Sequence, residues 1–307
     1  MHRTLQIAVS GELADALSAR IQTIEGVVGL SHARGESVKP PGDVLTVHVL
    51  NRDSDDVLRA VENIAGDDFS VVTSEASSFI DPQHRKLIEN DVDEALWEET
   101  EAGLRHQGRI TTNYLVLMAL GGAVAAIGLV SNPVPQVISF IASAMIAPGY
   151  EPLAKVPLGA ILGRWNVVGR GLKSAACGYL VLILGAAAMF GLLIALGDTS
   201  ATLLARNPEV KTLSLPRVES LGFSILGGLS GMIMLAAYRR STIAGPLVLL
   251  AIIPAGALVG TAAACGQWGL VKQGVERLLL DVLIIWGTGA IVVWVKQAFV
   301  HKRSSLA

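Results

Sequence analysis

The sequence predicts two parts of different class, an α+β soluble domain followed by an all-α polytopic membrane domain. Three observations carry this. The 307 residues are 51% apolar with a mean hydropathy of +0.53, more hydrophobic than an ordinary soluble chain. Charge divides sharply: residues 1–110 hold 20 Asp/Glu against 10 Lys/Arg, a net of −10, whereas residues 111–307 hold 6 against 14, a net of +8. Windows without a charge, at 110–150, 174–197, 220–238, 241–271 and 282–295, fall almost wholly in the second part.

In the first part, residues 4–10 alternate as a strand and 12–24 place Leu13, Leu17, Ile21 and Ile24 on one helix face. Strands are expected at 27–33 and 43–50, joined across Lys39-Pro40-Pro41-Gly42-Asp43. A helix at 54–65 with Val57, Leu58, Val61 and Ile64, then a strand at 70–76, complete the order βαββαβ. That is the ferredoxin-like split βαβ pattern, assigned to residues 1–80, and it fits a small regulatory or oligomerising domain. Gly26-Val27-Val28-Gly29 has two readings, a helix cap with a turn, or the ligand-side loop of an amino-acid-sensing domain.

Residues 81–109 read as a connecting segment, with an acidic helix over 82–106. Ile88, Val92, Leu96 and Trp97 form a partial apolar stripe, opposite Glu89, Asp91, Asp93, Glu94, Glu98, Glu99 and Glu101. The acidic run reads as a solvated face, as a cation site, or as a surface complementary to the basic rim of the membrane domain at Arg164, Arg170, Lys173, Arg239 and Arg240. No two of His32, His48, His84 and His106 have the spacing of a metal pair on one helix face, so no metal and no cofactor are assigned.

The membrane domain is assigned to 110–300, followed by a cytoplasmic tail at 301–307. A spanning helix needs about 20 apolar residues, which gives six spans at 113–130, 134–148, 174–197, 220–238, 242–264 and 278–295. With both termini in the cytoplasm, eleven basic residues flank the spans inside, Lys155 among them, and five, Arg206, Lys211, Arg217, Lys272 and Arg277, outside. Trp165, Trp268 and Trp294 fall near the proposed boundaries. Met1-His2-Arg3 leads into a polar strand rather than an apolar signal core, so no cleaved leader is expected, and the inner (cytoplasmic) membrane is the expected location. Cys177 and Cys265 both lie in apolar spans and read as small buried hydrophobes.

Within this domain the 41 uncharged residues from Ile110 to Tyr150 end in Ala144-Met145-Ile146-Ala147-Pro148-Gly149-Tyr150-Glu151-Pro152. A Pro-Gly break beside a carboxylate puts irregular backbone near membrane depth, which lipid tolerates only where protein or water satisfies the freed groups. A partial echo follows 106 residues later at Leu250-Ala251-Ile252-Ile253-Pro254-Ala255-Gly256, and Gly121 precedes Pro148 as Gly227 precedes Pro254, by 27 residues. Three spans per copy make this a 3+3 inverted repeat, in which paired broken helices mark a transporter's site. Close helix packing is the other reading of Gly121, Gly122, Gly228 and Gly231.

At these residues the chain resembles the domain-of-unknown-function 389 membrane family. The resemblance lies in Ser131-Asn132-Pro133, in Ala144-Met145-Ile146-Ala147-Pro148 with Pro152 after it, and in Ala244-Gly245-Pro246 through Ile253-Pro254-Ala255, and it covers roughly 110–300. Glu151 stands where the family usually has a small residue, and a usual double proline is reduced to Pro254-Ala255. The resemblance implies architecture and little chemistry.

Ionisable residues inside spans are functional candidates. Asp281 and Glu151 qualify, and each also reads as an i,i+4 ion pair, with Arg277 and Lys155 respectively. The candidate solute- or ion-binding set is Asn132, Met145, Pro148, Gly149, Glu151, Pro152, Pro254 and Asp281. No Ser/His/Asp constellation, phosphate loop or intramembrane aspartate pair points to an enzyme, and an acidic soluble domain argues against nucleic acid. The expected function is a transporter or channel for an unidentified small solute or ion, regulated by the cytoplasmic N-terminal domain. The alternative is a non-transporting membrane sensor or scaffold whose soluble domain binds a ligand or partner. The expected partners are the lipid bilayer, a small solute or ion, and further copies of the chain in a homo-oligomer.

Overall fold

The computed structural model describes residues 2–76, 80–106, 108–214, 218–238 and 243–302. Arg217, Arg239, Arg240 and Arg303, used in the charge argument above, lie outside the described residues, as does the tail beyond Lys302. The chain divides into two compact units, Met1–Glu99 with His301–Ala307, and Thr100–Val300.

The first unit begins β1 (Arg3–Val9), α1 (Gly11–Gln22), β2 (Val27–Val38), β3 (Pro41–Val49), α2 (Ser54–Ala65) and β4 (Phe69–Glu75). The four strands make one sheet in the order β2-β3-β1-β4, with every neighbouring pair antiparallel. The period-2 alternation puts Leu5, Ile7, Val9, Leu45, Val47 and Val49 on one buried face. Leu17 and Ile21 of α1 and Val57, Leu58 and Val61 of α2 close over it, forming a single apolar core. β2 runs five residues beyond its expected end because register irregularities between Ala33 and Ser37 let it keep pairing with β3. Gly26 lies in a turn after α1, where its carbonyl accepts from the Leu50 amide at 2.9 Å.

The stretch 82–106 is not one helix. It forms α3 (Arg85–Glu89) and α4 (Trp97–His106), with a non-helical segment between. Tertiary hydrogen bonds take the backbone groups a helix would use. Arg3 donates to the Glu94 carbonyl at 2.7 Å, Asn51 donates to the Val92 carbonyl at 2.8 Å, and the Asp91 carboxylate accepts from the Asn51 amide at 2.9 Å. Leu96 and Trp97 are consequently buried rather than striped along a free helix. Nor is the acidic run a solvated face. Glu99 pairs with Arg3 at 3.0 Å, and Glu101 pairs with Arg105 at 2.9 Å and Arg164 at 3.2 Å. His301 belongs to this unit too: its Nδ1 is 2.7 Å from Asp55 Oδ2, and its ring lies tilted against Trp97 at 4.5 Å.

The second unit is helical: α5 (Thr112–Leu129), α6 (Pro133–Ile146), α7 (Tyr150–Ile161), α8 (Trp165–Ala195), α9 (Ala201–Arg206), α10 (Pro208–Ser214), α11 (Val218–Tyr238), α12 (Ala244–Ala264) and α13 (Trp268–Lys296). Among the described residues five helices are long and apolar enough to cross a membrane, or six spans if α6 and α7, bent by 56°, count as one. Exposed leucines and isoleucines along α8 and α13, including Leu180, Leu184, Leu279, Leu283 and Ile291, form the kind of apolar surface that lipid covers. The central helix is α12, apolar all round and 78% buried among its neighbours.

Helix limits differ from the charge-free windows in a systematic way. α8 begins at Trp165 and α13 at Trp268, nine or more residues before the expected spans, because Arg170 and Lys173, and Lys272, Glu276 and Arg277, lie within helix. At 1.5 Å per residue the 31 residues of α8 extend about 46 Å, more than the hydrocarbon core of a bilayer. The 198–219 connection is not a bare loop but holds α9 and α10, whose Leu204, Val210 and Leu213 are buried. Asn207 between them donates to the Leu129 carbonyl at 2.8 Å, satisfying the C-terminal end of α5.

Candidate functional site

The break at Pro148 forms as its chemistry requires. The residue before a proline is pushed out of the helical region, and Ala147 is extended at φ −81°, ψ 119°. The Ala147 amide still closes the last turn of α6 on the Ser143 carbonyl at 3.0 Å. Ser143 in turn donates its hydroxyl to the Gly121 carbonyl of α5 at 2.6 Å, tying α6 to its neighbour. Gly149 starts α7, and Pro152 falls in the first helical turn, where a missing N–H costs nothing.

The second expected break is absent. Pro254 lies inside α12, which is continuous from Ala244 to Ala264, and is wholly enclosed. A lone proline removes one helical hydrogen bond, and neighbouring helices hold the rest of the helix straight through it. The first break has Gly149 and a second proline immediately after Pro148. The second has Ala255 where the first has a glycine; Gly256 lies within the continuous α12, and no second proline follows.

α7 does not return to water after the break; nine of its twelve residues are buried, including Glu151 and Lys155. Lys155 is therefore no exposed loop cation, and its ammonium donates to the Gly108 carbonyl at 3.2 Å. Tyr179 of α8 donates its hydroxyl to the carbonyl of Gly149, the residue before α7, at 3.4 Å. The same tyrosine lies within electrostatic reach of Glu151, Tyr114 and Asp281. Tyr150, the first residue of α7, is enclosed where α11 and α12 approach at Gly231 and Gly245. Its hydroxyl has no hydrogen-bond partner among the described residues. Tyr114, Tyr150, Tyr179, Glu151 and Asp281 are thus buried polar groups in an otherwise apolar bundle.

Asp281 is engaged on the seam between α11 and α13. It accepts from Arg277 Nε at 2.8 Å and from the Ser224 hydroxyl at 2.7 Å, and Arg277 also donates to Ser220 Oγ at 2.9 Å. The i,i+4 pair with Arg277 is therefore formed, fully buried and hydrogen-bonded. Asn132 caps α6 from an exposed position, and Met145 is 70% exposed on the outer face of α6. These two are exposed and Pro254 lies within α12, whereas Gly149 meets the Tyr179 hydroxyl and Glu151 follows it in the first turn of α7.

The model of the domain of unknown function DUF389 matches residues 144–287. The helical unit carries a DUF389 domain. The family resemblance read from the Ala-Met-Ile-Ala-Pro segment is thereby borne out. The DUF389 match begins at Ala144, four residues before Pro148, includes Glu151, Pro254 and Asp281, and leaves Asn132 outside. No curated protein matches the chain. Within and beside the DUF389 domain, sequence reasoning missed Tyr114, Tyr150 and Tyr179. Little in the sequence marked them: Tyr114 and Tyr179 lie within six residues of the start of an uncharged window and Tyr150 ends one, where amphipathic rings normally collect.

Proposed function

We propose that the protein is a transporter or channel for a small solute or ion in the cytoplasmic membrane, with its working site at the α6–α7 break. The observation that carries this reading is the buried Gly149 carbonyl, met by the Tyr179 hydroxyl and followed by Glu151 in the first turn of α7. Non-helical backbone and a carboxylate inside an apolar bundle are costly, and membrane proteins retain them where ions or solutes are handled.

A 3+3 inverted repeat is the architecture we assign to the helical unit. α5, the bent α6–α7 pair and α8 correspond to α11, α12 and α13, and the pairings within each set are alike. One contact supports the repeat at residue level. A Cβ on Gly122 would overlap the Leu182 carbonyl, and a Cβ on Gly228 would overlap the Thr288 hydroxyl. Both members shift by 106 residues, the offset of the sequence echo. For the first unit, the strand order β2-β3-β1-β4 supports a ferredoxin-like domain that regulates the membrane part and pairs with copies of itself. The basic residues flanking the helices support a cytoplasmic position for both termini.

One observation favours the second reading, a sensor. An open polar cavity of about 630 Å³ in the first unit is lined by Arg20, Asp53, Asp56, Arg59 and Asn63. Proteoliposomes separate the two. Ion or solute flux that Glu151→Gln abolishes or alters supports transport. Tight vesicles, with ligand binding confined to the first unit, support the sensor.

A further inference from the structure

The helical unit holds a second polar feature, independent of the break's proposed role in transport. A cavity of about 480 Å³ opens where the end of α4, the 107–111 connection, α7 and the first turns of α8 meet. Its charged lining is Arg105, Arg109, Lys155, Arg170, Lys173 and a single carboxylate, Glu101, with Ser174 beside them. Five cations against one anion would repel one another if left alone. Glu101 is already shared between Arg105 at 2.9 Å and Arg164 at 3.2 Å. Arg109 and Lys173 pair with no carboxylate among the described residues.

The cavity is built rather than incidental. Gly108 has φ +61°, and a Cβ there would come within 2.6 Å of Pro152 Cδ and 3.1 Å of Glu151 Cβ. Only glycine lets the connection lie this close to α7. Lys155 locks it there through the Gly108 carbonyl at 3.2 Å, which delivers Arg109 to the rim. Apolar walls at Leu104, Ile110 and Val167 lower the local dielectric and strengthen attraction to an anion.

Chemistry and position select the ligand. Three guanidinium groups offer forked donors that match phosphate oxygens, and two ammonium groups add point charge. A singly charged carboxylate would leave most of that charge unanswered. Trp165, 71% exposed at the start of α8, marks the level of a membrane interface, and Val167 to Ser174 occupy the next turns. We propose that this cavity binds a phosphate-bearing anion, supplied either by an acidic phospholipid headgroup or by a free phosphate. Basic pockets between membrane helices bind such headgroups.

The test uses the full chain in detergent, with Arg109→Gln/Lys173→Gln as the variant. Both residues are exposed, so the fold is expected to survive, which an unchanged unfolding temperature without ligand verifies. Lys272→Gln, whose side chain is 79% exposed, is the control. Native mass spectrometry after incubation with equal phosphatidylglycerol and phosphatidylcholine should show the acidic lipid retained by the wild type and the control. The double variant should hold it about 30-fold less tightly, the effect of two cations near an acidic headgroup. If the source is free phosphate, 10 mM inorganic phosphate should instead raise the unfolding temperature of the wild type and not of the variant, with no lipid preference. Absence of both effects in the wild type overturns the proposal, as does a double variant indistinguishable from it.

Discussion

The hydroxyl of Tyr179 on α8 lies 3.4 Å from the carbonyl oxygen of Gly149, the residue at which α7 begins. This contact joins the interrupted α6–α7 pair to the longest helix of the bundle.

Overpacking either member of the matched glycine pair should be equally damaging. Gly122→Val and Gly228→Val each force a side chain into a facing helix, and each should lower stability by about 1–3 kcal/mol or more. Gly191→Ala, with open space around its Cα, should be neutral within about 0.5 kcal/mol. Thermal unfolding in detergent distinguishes them, and a tolerated Gly228→Val would argue against equivalent packing in the two halves.

The Arg277–Asp281 pair should behave as a buried unit. Asp281→Asn or Arg277→Met alone leaves an uncompensated buried group and should cost about 3–5 kcal/mol. The joint replacement Arg277→Met/Asp281→Leu should cost much less than the sum of the singles. A double-mutant cycle checks this, and additive losses would mean that the two side chains do not act together.

In the first unit, Asp43 supplies a pH dependence. Its carboxylate accepts from the Gly35 amide at 2.8 Å and lies 2.7 Å from His32 Nε2. The Gly35 hydrogen bond first, then His32, hold its pKa below the usual carboxylate value. Because the folded pKa is depressed, the stabilisation is present above the unfolded value near about 3.9 and is lost as pH falls through the lower folded value. Protection of the Gly35 amide against hydrogen exchange should therefore persist at pH 5 and fall steeply below about pH 4. In Asp43→Asn it should be weak at both pH values; wild-type-like protection in that variant would refute the assignment.

The fold of the first unit was legible because period-2 strands and 3.6-period helices bury one face each, so Leu5, Ile7, Leu17 and Val57 declare their roles locally. The spans were legible by apolarity, but their starts were not. Lys173, Lys272 and Asp281 each bound a charge-free window without ending a helix. Pro148 and Pro254 looked alike in the chain, yet only the first breaks its helix, because Gly149 and Pro152 restart the backbone in a new direction. The failure at 82–106 has a different cause. The Val92 and Glu94 carbonyls accept from side chains more than 39 residues away, which no local pattern reveals.

The contrast between the two prolines gives the most direct test of the account. Flux of protons, Na⁺, K⁺ and Cl⁻ across proteoliposomes under an imposed membrane potential should be compared for the wild type, Pro148→Ala and Pro254→Ala. The account predicts flux above protein-free vesicles, a loss of at least about tenfold when the α6–α7 break is relaxed, and near-wild-type flux when the buried proline of α12 is replaced. Equal losses in both variants, or flux indifferent to Pro148, would contradict it.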